Sequence, residues 1–338
     1  MKLNPAVKNI ALTHNIFEVS ADNFTSMALE VFLYQYQNNP VYHQYCDTLN
    51  IDCSKIDHLC KIPFLPISFF KTHPVTTTAF VPALVFESSG TTQTVNSKHL
   101  IKDPGIYEES FSRTFRKFYD DPSEYCIIAL LPSYLERNNS SLVLMADNLI
   151  RQSAHPLSGF YLNEFKQLQT TLEKLEALSQ KTLLIGVTFA LLDFATFSPM
   201  PLYSTTIMET GGMKGRRKEM IRQEVHEILC KSFRLKNIHS EYGMTELLSQ
   251  AYSSGEGIFS CPPWMKIVIR EEDDPLTVNI STGNGALSGA INVIDLANIY
   301  SCSFIATEDA GKLHADGRFE IAGRIDNTDV RGCSLLAL

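Results

Sequence analysis

No window of this 338-residue chain offers the roughly 18 uninterrupted apolar residues of a membrane span. Its first twenty residues lack the basic start and continuous apolar stretch of a secretory leader. Positive charge is not in excess either. The formal net charge of -8 provides no broad basic face for a nucleic-acid backbone, although a local donor cradle for a free nucleotide stays open. No C-x-x-C pair occurs among the eight cysteines (Cys46, Cys53, Cys60, Cys126, Cys230, Cys261, Cys302, Cys333), and the even spacing of the first three is too wide for a zinc knuckle. Internal repeats, low-complexity tracts and evident linkers are missing as well. The expectation is a cytoplasmic protein without membrane span or nucleic-acid partner, most of whose cysteines are reduced, buried, small apolar residues, with Cys333 as the exception.

What is present is ordinary globular composition, 44% hydrophobic with a mean hydropathy of -0.04, at a length that fits one large domain with sub-lobes. Residues 24–36 have helical apolar spacing, and Pro63 and Pro66 then predict an extended segment, IPFLPISFFKTH. YCIIALL, residues 125–131, reads as a buried strand ending at Pro132. Leu162, Phe165, Leu168, Leu172, Leu175 and Leu178 repeat at three- and four-residue steps and predict an amphipathic helix with core leucines. LLIGVTFALL reads as a strand turning into a helix, followed by a strand at Thr205–Met208, a basic helix from about Lys214 to Lys231, and a strand through Ile238. Alternation of this kind predicts crossover units and a mostly parallel sheet. Beyond residue 260 the runs KIVIRE, LTVNIST, GAINVIDL, CSFIAT and RFEIAG are short, β-branched and separated by turn residues, as in an antiparallel lobe. The expected division is a helical segment 1–75 packed on the core, an α/β nucleotide-binding core 76–260, and a β-rich lobe 261–338.

Three constellations carry chemistry. Ser88, Ser89, Gly90, Thr91 and Thr92 follow an apolar run; small hydroxyl residues around a glycine can wrap a polyphosphate with side-chain and backbone donors, or form a plain turn. In Glu241-Tyr242-Gly243-Met244-Thr245-Glu246, placed where a strand ends and a helix is expected to start, Tyr242 can stack on a base and Glu246 can hold magnesium. The alternative is a packing tyrosine and a helix-start carboxylate. In Thr307-Glu308-Asp309-Ala310-Gly311, Asp309 can accept both hydrogen bonds of a ribose diol, with Arg324 of the Gly323-Arg324-Ile325-Asp326 segment in reach. Between them, His314-Ala315-Asp316-Gly317 reads as a hairpin turn.

In order and spacing these segments resemble the adenylate-forming superfamily of acyl-CoA synthetases, phenylacetate-CoA ligases and adenylation domains, from about residue 60 onward. Within it the phrases IPFLPISFFKTH, LPSYLERNNSSL, METGGMKGRR, TEDAG and DVRGCSLL are closest to the acyl-protein synthetases of bacterial luminescence. The resemblance implies mostly parallel sheets flanked by helices, an antiparallel C-terminal lobe, and no mobile C-terminal domain. It implies ATP and Mg2+ as cofactors. Ser88, Ser89, Gly90, Thr91 and Thr92 would hold phosphates, with Thr92 also touching magnesium. Gly211, Gly212 and Tyr242 would frame the adenine, and Gly243 and Thr245 share the motif of Tyr242. Glu246 would ligate magnesium, while Asp309 and Arg324 would bind ribose.

Three departures follow. The lysine-bearing segment after the phosphate loop is replaced by QTVNSK, which displaces Lys98, and the glycine of the ribose motif is Glu308. The chain is expected to lack the family's C-terminal catalytic lysine, for which Lys214, Arg216 and Arg217 are candidate substitutes; the alternative for these three is the solvent face of a helix. Cys333 matches the acyl-accepting cysteine of the luminescence enzymes, with a structural cysteine as the alternative. The expected reaction activates a carboxylic acid, of fatty type by resemblance, and transfers it to a thiol, with a reductase, synthase or carrier protein as onward partner. A CoA ligase and a non-catalytic nucleotide-binding scaffold are the rivals.

Overall fold

The computed structural model describes residues 15–88, 95–131, 139–162, 164–211, 220–271, 274, 276–280 and 285–325. Helix α1 (Phe24–Asn38) runs into α2 (Pro40–Thr48), where Asn39 caps the new helix by accepting from Tyr42 N and Pro40 takes the first helical turn, a position that needs no N–H donor. The proline-rich segment is not simply extended. It forms a two-residue strand β1 (Leu65–Pro66) and then a single helical turn α3 (Phe69–Thr72), because Pro66 stops the strand while Phe70 drops into the core. A hairpin, β2 (Leu84–Glu87) with β3 (Lys98–Ile101), brackets the Ser/Gly/Thr segment.

Next comes α4 (Pro104–Tyr119), capped by Asp103 and burying Ile106, Tyr107, Ser110, Phe111, Thr114 and Phe115 at helical spacing. Strands β4 (Cys126–Leu130), β5 (Gly159–Phe160), β6 (Thr182–Gly186), β7 (Thr205–Glu209), β8 (His239–Tyr242) and β9 (Ala251–Ser253) build a six-stranded sheet in the order β5-β4-β6-β7-β8-β9, parallel except for the β8–β9 pair. Every residue of β4 and β6 is buried, as expected of parallel strands covered on both faces. The crossovers are α5 (Ser141–Ser153), α6 (Phe165–Ala177), α7 (Thr188–Phe197) and α8 (Arg222–Phe233). At Gly186 a Cβ would collide with Leu191, so glycine lets α7 lie directly on its strand.

The leucine stripe is corrected at its ends. Leu168, Leu172 and Leu175 are fully buried, but the helix begins after Leu162 and Leu178 is 67% exposed, since Ser179 at φ 52 turns the chain away. The described part of the basic helix starts at Arg222; residues 212–219 lie outside the described residues.

A second sheet contains β10 (Ile258–Phe259), β11 (Met265–Arg270), β12 (Val278–Asn279), β13 (Leu287–Asp295), β14 (Phe304–Leu313) and β15 (Phe319–Arg324), antiparallel in the order β10-β15-β14-β13-β11-β12. The hairpin at His314–Gly317 is present, with Gly317 at φ 84. Strand β1 adds in parallel to β14, and Gln35 and Asn39 bond the chain at 298–303. The N-terminal helices are thereby fastened to the antiparallel sheet, and Phe304 packs against Phe32, Tyr42 and Phe64. Each such ring contributes about 1.5–3 kcal/mol on full burial. No helix among the described residues is long and apolar enough to cross a membrane.

Candidate active site

The segment after Tyr242 forms a turn, not the expected helix, and a buried aspartate explains why. Asp295, fully enclosed, accepts from Leu248 N and Ser249 N at 2.9 Å each, from Ser249 Oγ at 2.6 Å and from Ala297 N at 3.1 Å. Backbone donors that a helix would pair internally are taken by one carboxylate. Asn298 Nδ2 donates to Glu246 O at 2.7 Å and His99 Nδ1 to Thr245 O at 2.9 Å, which fixes the turn from both flanks. Burial holds the His99 imidazole down at about 4 and pushes the Asp295 carboxyl up to about 6.

Glu246 is therefore held inside the protein rather than at a helix start, 6% exposed. Burial raises its carboxyl, opposed by a hydrogen bond from the Ser97 side chain and by the charges of Lys71 and Arg324. Ser97 also ties the strands at the base of the Ser/Gly/Thr segment: its N–H donates to Ser88 Oγ at 2.9 Å and its carbonyl accepts from Ser88 N at 3.1 Å. The structure thus brings Ser88 and Glu246 to one place through Ser97, a residue without a sequence signal of its own.

Asp309 lies within β14, since the antiparallel pairing continues through Ala310 and on to Leu313. Its Oδ2 accepts from Tyr242 Oη at 2.9 Å, and its cross-strand partner is Arg324, with 4.0 Å between Nε and Oδ1. Burial raises the Asp309 carboxyl, while Tyr242, Arg324 and Arg222 pull it down. The Tyr242 ring is buried edge-on against Phe259 and Phe319.

Glu209, at the end of β7, accepts from Thr188 Oγ1 and from Gly211 N, and lies 3.9 Å from Arg222 Nε. This carboxylate shapes the Gly211 turn (φ 78), and among the described residues nothing lies within 4 Å of where a Gly211 Cβ would stand. Arg222, 5.0 Å over the Phe259 ring, connects the turn electrostatically to Asp309; nothing in the sequence marks it out. Ser89, Gly90, Thr91, Thr92, Gly212, Lys214, Arg216, Arg217 and Cys333 lie outside the described residues.

These groups fit a nucleotide with magnesium. Asp309 offers a carboxylate held on one oxygen, Glu246 one enclosed carboxylate, and no cluster of three or more His, Cys, Asp or Glu side chains among the described residues would cage a metal alone. Magnesium is commonly held by one or two carboxylates together with substrate phosphates and water, which suits such a donor set. A separate cavity of about 450 Å3, lined by Lys55, Cys60, Lys61, Phe64 and Leu276 among others, contains none of Ser88, Gly211, Tyr242, Glu246, Asp309 and Arg324.

No family model matches the chain. Solved structures similar to it include O-succinylbenzoate coenzyme A synthetase from Bacillus subtilis, in complex with ATP and magnesium ion (16% identity, 73% of this chain and 51% of that one, TM-score 0.48). A luciferase-like enzyme from the mealworm Zophobas morio (15% identity, 75% and 60%, TM-score 0.46) and coronafacic acid ligase from Pectobacterium brasiliense (17%, 60% and 39%, TM-score 0.40) are others. The chain spans between 39% and 60% of the length of these three proteins. In class, the chain resembles the adenylate-forming enzymes. Among curated proteins it is similar to the long-chain-fatty-acid–luciferin-component ligase of Vibrio harveyi, 23% identical over 331 residues, which cover 90% of this chain and 84% of that protein.

Proposed function

We propose that the protein is an AMP-forming ligase that activates a carboxylic acid with ATP and passes the acyl group to a thiol. The observation that carries this reading is the convergence of Ser88, Glu246, Asp309, Tyr242 and Gly211, drawn from four separate sequence segments, at the adjoining ends of β2, β7, β8 and the β14–β15 pair. A carboxylate oxygen of the acid would attack the α-phosphorus of ATP and pyrophosphate would leave. Asp309 would bind the ribose diol, kept in place by the Tyr242 hydroxyl. Arg324 would stand between Asp309 and Glu246, lending charge to both. Ser88 would open the phosphate loop, and Gly211 would leave room for the base. Magnesium bound at Glu246 would offset phosphate charge.

The similarity to the Vibrio harveyi ligase, which is named for a long-chain fatty acid and a luciferin component, supports a fatty acid as substrate; a protein as onward acceptor is part of the proposal. Cys333 is the proposed internal thiol, by its matching sequence surroundings. Carboxylate-dependent exchange of labelled pyrophosphate into ATP tests the first half-reaction. Exchange that appears only with an added acid is expected; its absence across a broad acid panel would leave a nucleotide-binding scaffold as the better reading.

A further inference from the structure

We infer that Arg270 is a positioning residue of the proposed ribose site: its guanidinium bridges a break in the β13–β14 ladder and thereby sets the direction of Asp309. This rests on the activation reading above and adds the group that holds its ribose carboxylate in place.

The β13–β14 ladder is interrupted at the level of Asp309. Ala290 pairs with Ala310 and Asn292 with Ala306, so Thr307, Glu308 and Asp309 together lie opposite the single residue Ile291. A bulge of this kind bends the strand and re-aims a side chain, but it takes backbone groups out of the ladder. Buried groups stranded in this way are costly unless another partner reaches them. Here side chains and the neighbouring strand supply the partners. Arg270, the last residue of β11, donates through Nη1 to Ile291 O at 3.1 Å and to Asn292 Oδ1 at 2.7 Å, and through Nη2 to Thr307 O at 2.7 Å. Thr307 Oγ1 donates to Ile291 O at 2.7 Å and accepts from Asp309 N at 3.2 Å, while Ile325 N donates to Glu308 O at 2.7 Å.

One half-buried guanidinium thus spans both lips of the bulge, Ile291 and Asn292 on β13 and Thr307 on β14. Asn292, fully buried, gives its Oδ1 to Arg270 although its Nδ2 has no partner among the described residues. The planar fork is what the task needs, because three acceptors on two strands are met by two nitrogens of one rigid group, which a single ammonium cannot reproduce. Immediately beyond the bulge, Asp309 stands across from Arg324 and its Oδ2 accepts from Tyr242 Oη. The direction in which the bulge releases the chain therefore decides whether both contacts are made. Arg270 reaches the carboxylate through Thr307, whose carbonyl it holds and whose hydroxyl holds the Asp309 N–H.

The test is a double-variant cycle on ATP affinity, measured by isothermal calorimetry on the full chain with Arg270→Met, Arg270→Lys and Asp309→Asn, alone and combined. A misplaced contact group is expensive, so Arg270→Met should raise the Kd of ATP about tenfold or more, and Arg270→Lys, which keeps the charge but not the fork, by less. In the Asp309→Asn background, Arg270→Met should change Kd by less than about threefold, because the carboxylate it positions has already lost its charge. In pyrophosphate exchange the loss should fall on the KM for ATP and spare kcat, since Arg270 touches no reacting atom. A brace of the sheet alone would lower the Tm and leave the Kd of the folded protein at its wild-type value. Should Arg270→Met fail to fold, the cycle of Arg270→Lys with Asp309→Asn decides. Wild-type affinity in the folded Arg270 variants, or equal losses with and without the Asp309 charge, would overturn the inference and leave acid activation standing. Unchanged ATP binding in Asp309→Asn would instead remove the ribose assignment, and the inference with it.

Discussion

Arg324 faces Asp309 directly across the β14–β15 pair, with its Nε 4.0 Å from Oδ1, while Tyr242 from the other sheet holds Oδ2 at 2.9 Å. One carboxylate is thereby gripped from two sheets. Any change in how the sheets meet is transmitted to it, and this makes the pair a sensitive place to test the proposed site.

Asp309→Asn removes the charge from the proposed ribose contact and should weaken ATP binding by about 1.5–3 kcal/mol. Tyr242→Phe should cost less alone. Because the two side chains share a hydrogen bond, the double variant should fall short of the sum of the singles. Isothermal calorimetry with ATP measures all three; unchanged binding in Asp309→Asn would remove it from the site.

Glu246→Gln keeps the size and burial of the side chain and should leave the fold intact, since His99, Asn298 and Asp295 hold the turn through backbone groups, independently of the carboxylate charge. Exchange activity should fall roughly 100-fold or more if one preorganised charge contact is lost. Near-normal exchange across a magnesium titration would contradict the assignment.

Stability should depend on pH through two groups shifted in opposite directions, the buried His99 and the half-buried Glu241. Burial, with the Glu209 charge behind it, pushes the Glu241 carboxyl from 4.5 up to about 8, so the folded chain holds that proton more tightly than the unfolded one. Its contribution is complete below about pH 4.5 and is lost as pH rises toward 8. His99 runs the other way: burial lowers it from 6.5 to about 4, so its contribution is present above pH 6.5 and lost as pH falls toward 4. Differential scanning calorimetry of Glu241→Gln from pH 4 to 9 should therefore show a flatter alkaline limb and an unaltered acid limb. An alkaline limb that does not change would show that Glu241 does not titrate in this range.

Cys333 separates self-acylation from ligation to coenzyme A. With ATP, magnesium and a labelled fatty acid, wild type should acquire a label that hydroxylamine releases. Cys333→Ser should keep pyrophosphate exchange and lose the label, because a serine hydroxyl is a far poorer nucleophile near neutral pH. Labelling at another cysteine, or free acyl-CoA formation without protein labelling, would replace this reading with the CoA-ligase one.

Much of the architecture was legible in order along the chain. The apolar runs at 126–130 and 183–185 read as buried strands, and the turn-separated β-branched runs after residue 260 read as an antiparallel lobe; that β1 would join β14 and β10 would join β15 was not legible in them. Tyr242, Glu246, Asp309 and Arg324 could be singled out by their place in short motifs that resemble those of the adenylate-forming superfamily, and their roles stay proposals. What the sequence could not carry was decided by contacts between residues far apart. Asp295 takes the backbone donors of Leu248 and Ser249, so a segment with a helix-start signature becomes a turn and Glu246 goes inside. Ser97, Lys71, Arg222 and Glu241 gained their meaning in the same way, since a carboxylate's or a cation's role depends on which charges and dipoles the fold brings within a few ångströms of it. Local sequence sets propensity and pattern; burial and long-range pairing decide which polar groups are satisfied and which are left facing the site.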